Sequence, residues 1–443
     1  MQILKFGGSI LRTSNDITRL CDIVAATRAH GTDAATGSGK AVIVVSALGA
    51  STRNLETASL LAATGKYSNA VDVVDRLRQG IMDLAQGVLR KEQTIESFKS
   101  RDFELFARCC SILQGISITR QRTTRVGHII RALGEDWAIA LVSLALRERD
   151  IVFEEIDARS VMKTHTTAGE CVPDMDATAD AVHSFVVPAL RRSSTVLIQG
   201  YVASDDIGDT TTMGSESSNL TAAVLGRILA AESVTVYSDV PGIMTIDPNV
   251  CQDAQVIEQL DYSSAHKLAV HGVKILYPTM IPILEAASIP LNVCSLRPSS
   301  SQGTTIRHTS TSSPLRSIIC QYPTTQRLES KLNDNGSYNS PNEVVINLGN
   351  ELIRAESASI RARIVDSSLQ QDHEDGTEIT TGLITIFHSG VATVQILQSV
   401  TNYSQLQSVS HVGVWTFGPE ITCVNIQAQH LQPLATHIHT LLT

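Results

Sequence analysis

The most constraining stretch of this sequence is QILKFGGSIL, at residues 2–11. An apolar run that contains Lys5 leads through Phe6 into two glycines, Gly7 and Gly8, and a second apolar run follows. We interpret it as a buried strand that turns sharply into a helix. Paired glycines let backbone N–H groups approach an anion closely, and Lys5 and the helix N-terminus would add positive charge. A phosphate chain is the predicted ligand, although two glycines after a strand are often only a tight turn.

The composition is that of an ordinary globular protein. The chain has 443 residues, 43% hydrophobic and 18% charged, which allows roughly two to four domains. Its net charge of −9 and aromatic content of 4% argue against a nucleic-acid partner. No apolar run has membrane-spanning length, and the eight cysteines contain no CxxC pair. We therefore predict a protein of the reducing cytoplasm, without a signal peptide, that binds neither nucleic acid nor a membrane.

Predicted strands and helices alternate over residues 1–297, which favours an α/β fold with a mostly parallel sheet sandwiched by helices. The apolar run at 41–45 is typical of a strand covered on both faces. Further strands are predicted at 151–159, 195–205, 233–238 and 289–296, and helices at 14–30, 127–150, 210–231 and 262–278, with a mainly helical insertion at 55–122.

The pattern changes after a Ser/Thr-rich segment at 298–314, which we interpret as a closing edge strand and a linker. Short strands at 317–322, 343–349, 382–388, 412–418 and 421–427 are predicted to alternate with helices at about 350–360, 389–409 and 428–442. We therefore predict an N-terminal domain at 1–307 and one or two small α+β units of βαββαβ type at 315–443.

Hydroxyl side chains follow the second predicted strand, at the sheet edge where open α/β proteins bind ligands. Ser46, Ser51 and Thr52 therefore stand where a substrate would lie, unless these hydroxyl groups only cap the next helix. We expect Glu135 near the start of its helix, where a carboxylate either satisfies the helix dipole or receives a substrate ammonium group.

Two further turns have the composition of an anion or nucleotide site. Gly214, Ser215 and Ser218 precede a periodic helix, which repeats the order of strand, small-residue turn and helix N-terminus. Asp239 directly follows the predicted strand at 233–238, and we expect it either to order a nucleotide or a metal ion, or only to cap the turn.

Several motifs occur in a fixed order along the chain. They are KFGGS at 5–9, VVSALGASTRN at 44–54, GE at 134–135, TTTMGSESSNLTAA at 210–223, SDVPGIMTIDPN at 238–249 and HGVKILYP at 271–278. In this order they resemble the aspartate kinases of the amino acid kinase family, over about residues 1–307. The resemblance implies an amino-acid kinase fold. It also implies that residues 315–443 form ACT-like domains, which bind amino-acid effectors and form homodimers or larger homo-oligomers.

The resemblance implies phosphorylation of the aspartate side-chain carboxylate by ATP with Mg²⁺, the first step toward lysine, threonine and methionine. The phosphates would be held by Lys5, Gly7 and Gly8. The rest of the nucleotide would be surrounded by Phe6, Ser238, Asp239, Met244, Asn249 and Lys274. The amino acid would be held by Ser46, Thr52, Glu135, Ser215 and Ser218, with Glu135 facing the ammonium group. The catalytic groups would be Lys5, Gly8 and Lys274, and no side chain is implied as a metal ligand.

One turn departs from the LGRGGSD pattern that is usual in this family. Ser215 stands where the family has an arginine, and Asn219 stands where it has an aspartate. A serine cannot supply the bidentate fork with which an arginine binds a carboxylate. Either Arg53, Arg125 or Arg131 supplies the cation, or the substrate is another small carboxylate, or the chain is a weakly active regulatory homologue.

Overall fold

A computed structural model gives the structure of the chain. It describes residues 1–29, 39–167, 169–214, 216–273, 275–297, 302–309, 317–321, 343–348, 351–356, 381–387, 392–407, 409, 412–417 and 421–442. These residues form two compact units, Met1–Gly242 with Thr279–His308 and Ile243–Pro278 with Thr309–Thr443. The segment Ile243–Pro278, which the sequence analysis places in the N-terminal domain, therefore groups with the C-terminal part of the chain.

The described elements are numbered in chain order. The strands are β1 Gln2–Phe6, β2 Ala41–Val45, β3 Glu154–Ile156, β4 Thr164–Thr167, β5 Glu170–Pro173, β6 Thr195–Gln199, β7 Val202–Ser204, β8 Thr210–Thr212, β9 Ser233–Ser238, β10 Gln259–Leu260, β11 Leu291–Ser295, β12 Thr304–Ile306, β13 Ser317–Gln321, β14 Glu343–Leu348, β15 Glu351–Glu356, β16 Thr381–Phe387, β17 Val412–Phe417 and β18 Ile421–Gln427. The helices are α1 Ser14–Ala29, α2 Ser51–Ala63, α3 Tyr67–Val88, α4 Glu92–Thr119, α5 Thr124–Glu148, α6 Ala158–Val161, α7 Met175–Ala181, α8 Val187–Arg192, α9 Ser218–Ile228, α10 Tyr262–Val270, α11 Met280–Ala286, α12 Ala392–Leu406 and α13 Ala428–Leu442.

The first unit is built on a mostly parallel sheet. Its strands pair in the order β12-β11-β9-β1-β2-β6-β3. Each of these pairings is parallel except that of β11 with β12 at the edge. In the centre, Lys5 lies opposite Val44 on one side and Val236 on the other. The parallel pairing confirms the predicted fold class for this unit. All of β2 is buried, as expected for a strand that is covered on both faces.

A buried polar network joins three helices that flank this sheet. The indole Nε1 of Trp137 on α5 donates to Asp102 Oδ1 on α4 at 3.1 Å. The other oxygen of Asp102 accepts from Nε of Arg78 on α3 at 2.6 Å. Trp137 and Asp102 are fully buried, so each needs the other as a hydrogen-bond partner.

The predicted strand at 195–205 is interrupted, because β6 ends at Gln199 and β7 begins at Val202. A Cβ atom on Gly200 would lie 2.5 Å from Cβ of Ser218, and Tyr201 has a φ of +68°. The chain turns here because helix α9 packs against the end of the strand, a contact that strand periodicity does not encode.

The second unit contains an antiparallel sheet in the order β13-β16-β18-β17, with α12 and α13. This α+β arrangement is compatible with the predicted ACT-like fold. The helix predicted at 350–360 is wrong, because β15 pairs antiparallel with β14. Gly349-Asn350 between them is a dipeptide typical of two-residue hairpins. Across the part of the chain that the structure describes, no helix combines the length and apolar character needed to cross a membrane.

We predict that Asp102→Ala lowers the free energy of unfolding by about 2–3 kcal/mol, because it leaves the Trp137 indole N–H buried without an acceptor. Asp102→Asn keeps that acceptor but turns an amide NH₂ toward the Nε–H of Arg78, so it should lose less than Asp102→Ala while remaining less stable than wild type. Urea denaturation followed by tryptophan fluorescence measures both. Equal losses for the two variants would contradict the assigned role of the indole hydrogen bond.

Candidate active site

The carboxyl ends of four adjacent parallel strands meet at one edge of the sheet. The residues that directly follow β1, β2, β6 and β9 are Gly7, Ser46, Gly200 and Asp239. Ligands of open parallel sheets bind outside this edge. The candidate site is therefore built from the loops that leave these four strands.

Lys5 reaches this edge from inside the sheet. A Cβ atom on Gly7 would lie 3.1 Å from Nζ of Lys5 and 3.8 Å from the carbonyl oxygen of Tyr237. The ammonium group therefore occupies the space that a side chain at position 7 would need. Burial lowers the pKa of Lys5 to about 8, and the negative charge of Glu216 opposes this shift. An anion bound here would restore part of the solvation that the ammonium group has lost.

Gly8 brings two loops into backbone contact. A Cβ atom at this position would lie 2.3 Å from the carbonyl oxygen of Ala47, so a side chain cannot be accommodated. The carbonyl of Gly8 in turn accepts from the N–H of Gly49 at 3.0 Å. The expected helix does not follow directly. A single 3-10 turn, Gly8–Ile10, comes first, and α1 begins at Ser14.

Glu135 lies against the same loop. Its Oε1 accepts from the N–H of Ala47 at 3.1 Å, while Oε2 is buried and has no hydrogen-bond partner among the described residues. Burial raises the pKa of Glu135 to about 8, against the effect of the Ala47 hydrogen bond. Gly134 permits this close approach, since a Cβ there would lie 3.0 Å from Cβ of Ala47. One carboxylate oxygen is thus available to a ligand.

The helix-dipole interpretation of Glu135 is wrong. Helix α5 begins at Thr124, where the hydroxyl of Thr123 accepts from the N–H of Val126 at 3.3 Å. Glu135 therefore lies in the middle of the helix, beyond the first turn over which the dipole acts.

An ion pair beside Glu135 was not found from the sequence. Asp136 accepts two hydrogen bonds of 2.9 Å from the guanidinium group of Arg159. Gln199, at the end of β6, donates to Asp136 Oδ1 at 3.4 Å and accepts from the N–H of Ala158 at 2.9 Å. The two adjacent acidic residues in GED at 134–136 were the sequence signal from which a charged partner could have been predicted.

The predicted hydroxyl residues lie at the same edge. Ser46 is buried, and its N–H donates to the carbonyl of Phe6 at 3.1 Å. Thr52 is half-buried in the first turn of α2, a helix without a side-chain cap. Ser218 is buried at the first position of α9, and Oγ of Ser217 is buried with no partner within the described residues.

The residues predicted beside the nucleotide differ in exposure. The ring of Phe6 is fully buried and stacks on Tyr237, with ring centroids 4.7 Å apart. Only its backbone is therefore available to a ligand. Ser238 is buried and donates through Oγ to Oδ1 of Asp239 at 3.2 Å, while Asp239 itself is exposed.

The family model described as "Amino acid kinase family" matches residues 1–295. The chain belongs to the amino acid kinase family. It is 28% identical over 316 residues to the lysine-sensitive aspartokinase 3 of Escherichia coli K12, covering 71% of this chain and 65% of that protein. It is 27% identical over 296 residues to the aspartokinase of Chlamydia pneumoniae, covering 66% and 60%. The aligned region thus spans less than two thirds of each relative.

Solved structures share the fold of this amino acid kinase. E. coli aspartokinase III in complex with aspartate and ADP has a TM-score of 0.76 at 19% identity, over 99% of both chains. The Clostridium acetobutylicum aspartate kinase has a TM-score of 0.65 at 15% identity, over 100% of both. The predicted combination of a parallel sheet with C-terminal α+β elements is confirmed at the level of the fold.

Two of the predicted nucleotide residues of this amino acid kinase belong to the second unit. Met244 is half-buried, and its carbonyl accepts from the hydroxyl of Ser317 at 3.4 Å. Asn249 is exposed, and its amide Nδ2 donates to Oδ1 of Asp247 at 3.0 Å. Ser215 and Lys274 lie outside the described residues, so their roles stay predictions.

Arg53, Arg125 and Arg131 are the candidates to replace the family arginine, and they differ in whether the guanidinium group already has a charged partner. Arg125 forms an ion pair with Asp209, and Arg131 pairs with Glu56 at 3.3 Å. The guanidinium group of Arg53 forms no ion pair or hydrogen bond with any residue that the structure describes. Arg53 directly follows Thr52.

Arg53 also lines an open cavity of about 730 Å³. Ser9 from the glycine turn and Gly49 from the loop after β2 line the same cavity. Arg53 therefore shares this cavity with residues of both loops that Gly8 and Ala47 bring together.

A metal ion would depend largely on the substrate for its ligands. Among the described residues, no three His, Cys, Asp or Glu side chains cluster as a metal site. Mg²⁺ commonly binds substrate phosphates and water with one or two carboxylates. The exposed carboxylate of Asp239 at the sheet edge fits that role.

We predict that the Lys5 ammonium group titrates near pH 8 rather than near its usual 10.5. It is charged below about pH 8 and neutral above it, so its attraction for anions should decline as the pH rises through 8. NMR of protein labelled with ¹³C at lysine Cε measures the titration, and Lys5→Arg identifies the resonance. A midpoint near 10.5 would contradict the burial of the amine.

Proposed function

We propose that this amino acid kinase transfers the γ-phosphoryl group of ATP to the side-chain carboxylate of L-aspartate, forming 4-phospho-L-aspartate and ADP. One observation carries the proposal. A buried ammonium group, Lys5, and a buried carboxylate with one unpartnered oxygen, Glu135, flank the same Gly8–Ala47 backbone contact. Such a site suits a phosphate and an ammonium group together. The names of the aspartokinase relatives support the same assignment.

The chemistry requires positioning more than proton transfer. The attacking oxygen belongs to a carboxylate that is already ionised, so no general base is needed. A bond forms between this oxygen and the γ-phosphorus, and the bond to the β–γ bridging oxygen breaks with its electron pair leaving on ADP. Lys5 would bind the phosphate oxygens and reduce the cost of bringing two anions together. A bound Mg²⁺ would supply further charge neutralisation to the phosphates.

The amino acid would be held by the loops that follow β2. Its ammonium group would bind Oε2 of Glu135, because Oε1 is already held by the N–H of Ala47. The hydroxyl groups of Ser46, Thr52 and Ser218 would supply hydrogen bonds. Arg53 would bind the α-carboxylate in place of the family arginine, since its guanidinium group is not already in an ion pair.

The proposal also assigns roles to the rest of the chain. Residues 1–307 would form the catalytic domain, and residues 315–443 would form an ACT-like regulatory region that binds an amino-acid effector and assembles homo-oligomers. A solved relative was captured with lysine and aspartate, which supports an amino acid as the class of effector.

The test is release of ADP by the purified full chain with Mg-ATP and a panel of amino acids and small carboxylates. Turnover with aspartate alone is the expected result. Turnover with a different acid would make the chain a kinase of that acid. Retained ATP binding without turnover would make it a regulatory homologue.

We predict that binding of aspartate at pH 7 releases about one proton. The pKa of Glu135 is raised to about 8, so without bound substrate Glu135 is mostly protonated at pH 7. A substrate ammonium group beside it would favour the carboxylate and expel the proton. Calorimetry in two buffers of different ionisation enthalpy, with a non-hydrolysable ATP analogue present, measures the release. Glu135→Gln should abolish it, and an unchanged release would contradict the contact.

We predict that Arg53→Ala raises KM for aspartate by about tenfold or more, because a charge-assisted hydrogen bond to the substrate is lost. Arg125→Ala is the matched control, since Arg125 is exposed and already paired with Asp209. Steady-state kinetics at saturating ATP measures both variants. A larger effect at Arg125 than at Arg53 would reverse the assignment.

A further inference from the structure

One cavity of the first unit carries more positive charge than the proposed reaction uses. It is the open cavity of about 730 Å³ that Arg53 shares with the glycine turn and with the loop after β2. Arg12 and Arg76 line it as well, and Asp83 is the one acidic residue among the described residues that line it. Three cationic side chains therefore border the same space as a single carboxylate.

The two additional arginines are not neutralised by neighbouring acids. The guanidinium groups of Arg12 and Arg76 are exposed and form no ion pair or hydrogen bond with any residue that the structure describes. Oδ1 of Asp83 already accepts from Nε2 of Gln79 at 2.9 Å. The carboxylate of Asp16, close to Arg12 in the chain, accepts from the backbone N–H of Arg12 at 3.3 Å rather than from its side chain. The cavity therefore attracts anions.

The floor of the cavity is apolar and belongs to the core of the first unit. Leu11, Leu48, Leu77 and Ile81 line the cavity, and all four are members of one buried apolar cluster. They come from the stretch before α1, the loop after β2 and helix α3. Close-packed core residues leave little freedom to fill such a space, so the cavity is formed before a ligand binds. A preformed apolar surface with a few charged groups is typical of small-molecule sites.

Helix α3 leaves room for a ligand at Gly80. This residue lines the cavity, and a Cβ atom on it would have no contact within 4 Å outside its chain neighbours and the backbone of its own helix. A glycine in a helix interior is less stable than an alanine, and no close approach requires one here. Its effect on the structure is to keep the cavity wide above α3.

We propose that this cavity binds a small organic acid with at least two carboxylates on an apolar chain, and that this acid competes with the amino-acid substrate for Arg53. The arginines would bind the carboxylates through bidentate hydrogen bonds. The carbon chain would cover the apolar floor, which an inorganic anion would leave in contact with water. The competition rests on the proposed function, in which Arg53 holds the α-carboxylate of aspartate, whereas the binding itself does not.

Two pairs of variants separate the cavity from helix stability and from overall charge. Gly80→Leu fills the cavity without removing a charge. Gly115→Leu is its matched control, because a Cβ on Gly115 in α4 would meet equally open space. Arg76→Ala removes a cation that lines the cavity, and Arg108→Ala removes an exposed arginine of α4 that does not line it.

Calorimetry measures the binding of adipate, its uncharged diamide and inorganic sulfate to the full chain. We expect adipate to bind the wild type and the diamide not to bind. Gly80→Leu and Arg76→Ala should each raise Kd for adipate by about tenfold or more, while both controls stay within about twofold of the wild type. In steady-state assays adipate should raise KM for aspartate without changing kcat, and this effect should weaken in the same two variants.

The outcomes separate the site from the proposed activity. A wild type that does not bind adipate would overturn the site, as would equal losses in the cavity variants and their controls. Sulfate bound as tightly as adipate, and lost in the same variants, would overturn the organic acid as the ligand. Adipate that binds but leaves KM for aspartate unchanged would overturn the competition. A chain that binds adipate in this cavity and does not turn over aspartate would refute the proposed activity while confirming the site.

Discussion

The close approach of Gly8 to the carbonyl of Ala47 is the contact on which the site depends. A Cβ atom at Gly8 would lie 2.3 Å from that oxygen, so the two loops meet only because position 8 has no side chain. The same loop residue presents its N–H to Glu135. Lys5 and Glu135 therefore lie on either side of two loops that meet through their backbones, the glycine turn after β1 and the loop after β2.

The electrostatics of the site favour an anion. Burial lowers the pKa of Lys5 to about 8 and raises that of Glu135 to about 8. At neutral pH the first group is therefore mostly charged and the second mostly neutral, so the site has a cation without a fully matching anion. The protein already holds these groups in place, so they do not have to reorganise when a phosphate binds. Such preorganisation is the main source of electrostatic catalysis in enzymes.

The features predicted correctly from the sequence are those determined by local pattern. The apolar run of β2, the strand that carries Lys5 and the helix at α1 follow from residue type and period. The glycine turn was recognisable because Gly7 and Gly8 stand together after a strand. The position of the predicted hydroxyl residues at the sheet edge follows from the parallel order of the strands.

The features that were missed depend on contacts between distant residues or on a short turn. Ser218 approaches Gly200 so closely that position 200 has no room for a side chain. The grouping of Ile243–Pro278 with the C-terminal part depends on a core that only the folded chain assembles. Glu135 was expected near a helix start, but it lies more than two turns into the helix whether the helix begins at the predicted residue 127 or at Thr124. The strand at β15 was assigned as a helix because the turn signal of the Gly-Asn dipeptide at 349–350 in the sequence was overlooked.

Helix α13 holds the segment at 245–251 through hydrogen bonds from Gln432 and Thr436 to the carbonyl of Val250, and this sets the order in which that part of the second unit can form. The carbonyl of Val250 and the amide of Gln432 are 182 residues apart along the chain. A nascent polypeptide emerging from the ribosome therefore exposes the glycine-rich beginning of the domain long before the helix that completes the turn exists. The segment at 245–251 therefore gains these hydrogen bonds only after nearly the whole chain has been synthesised.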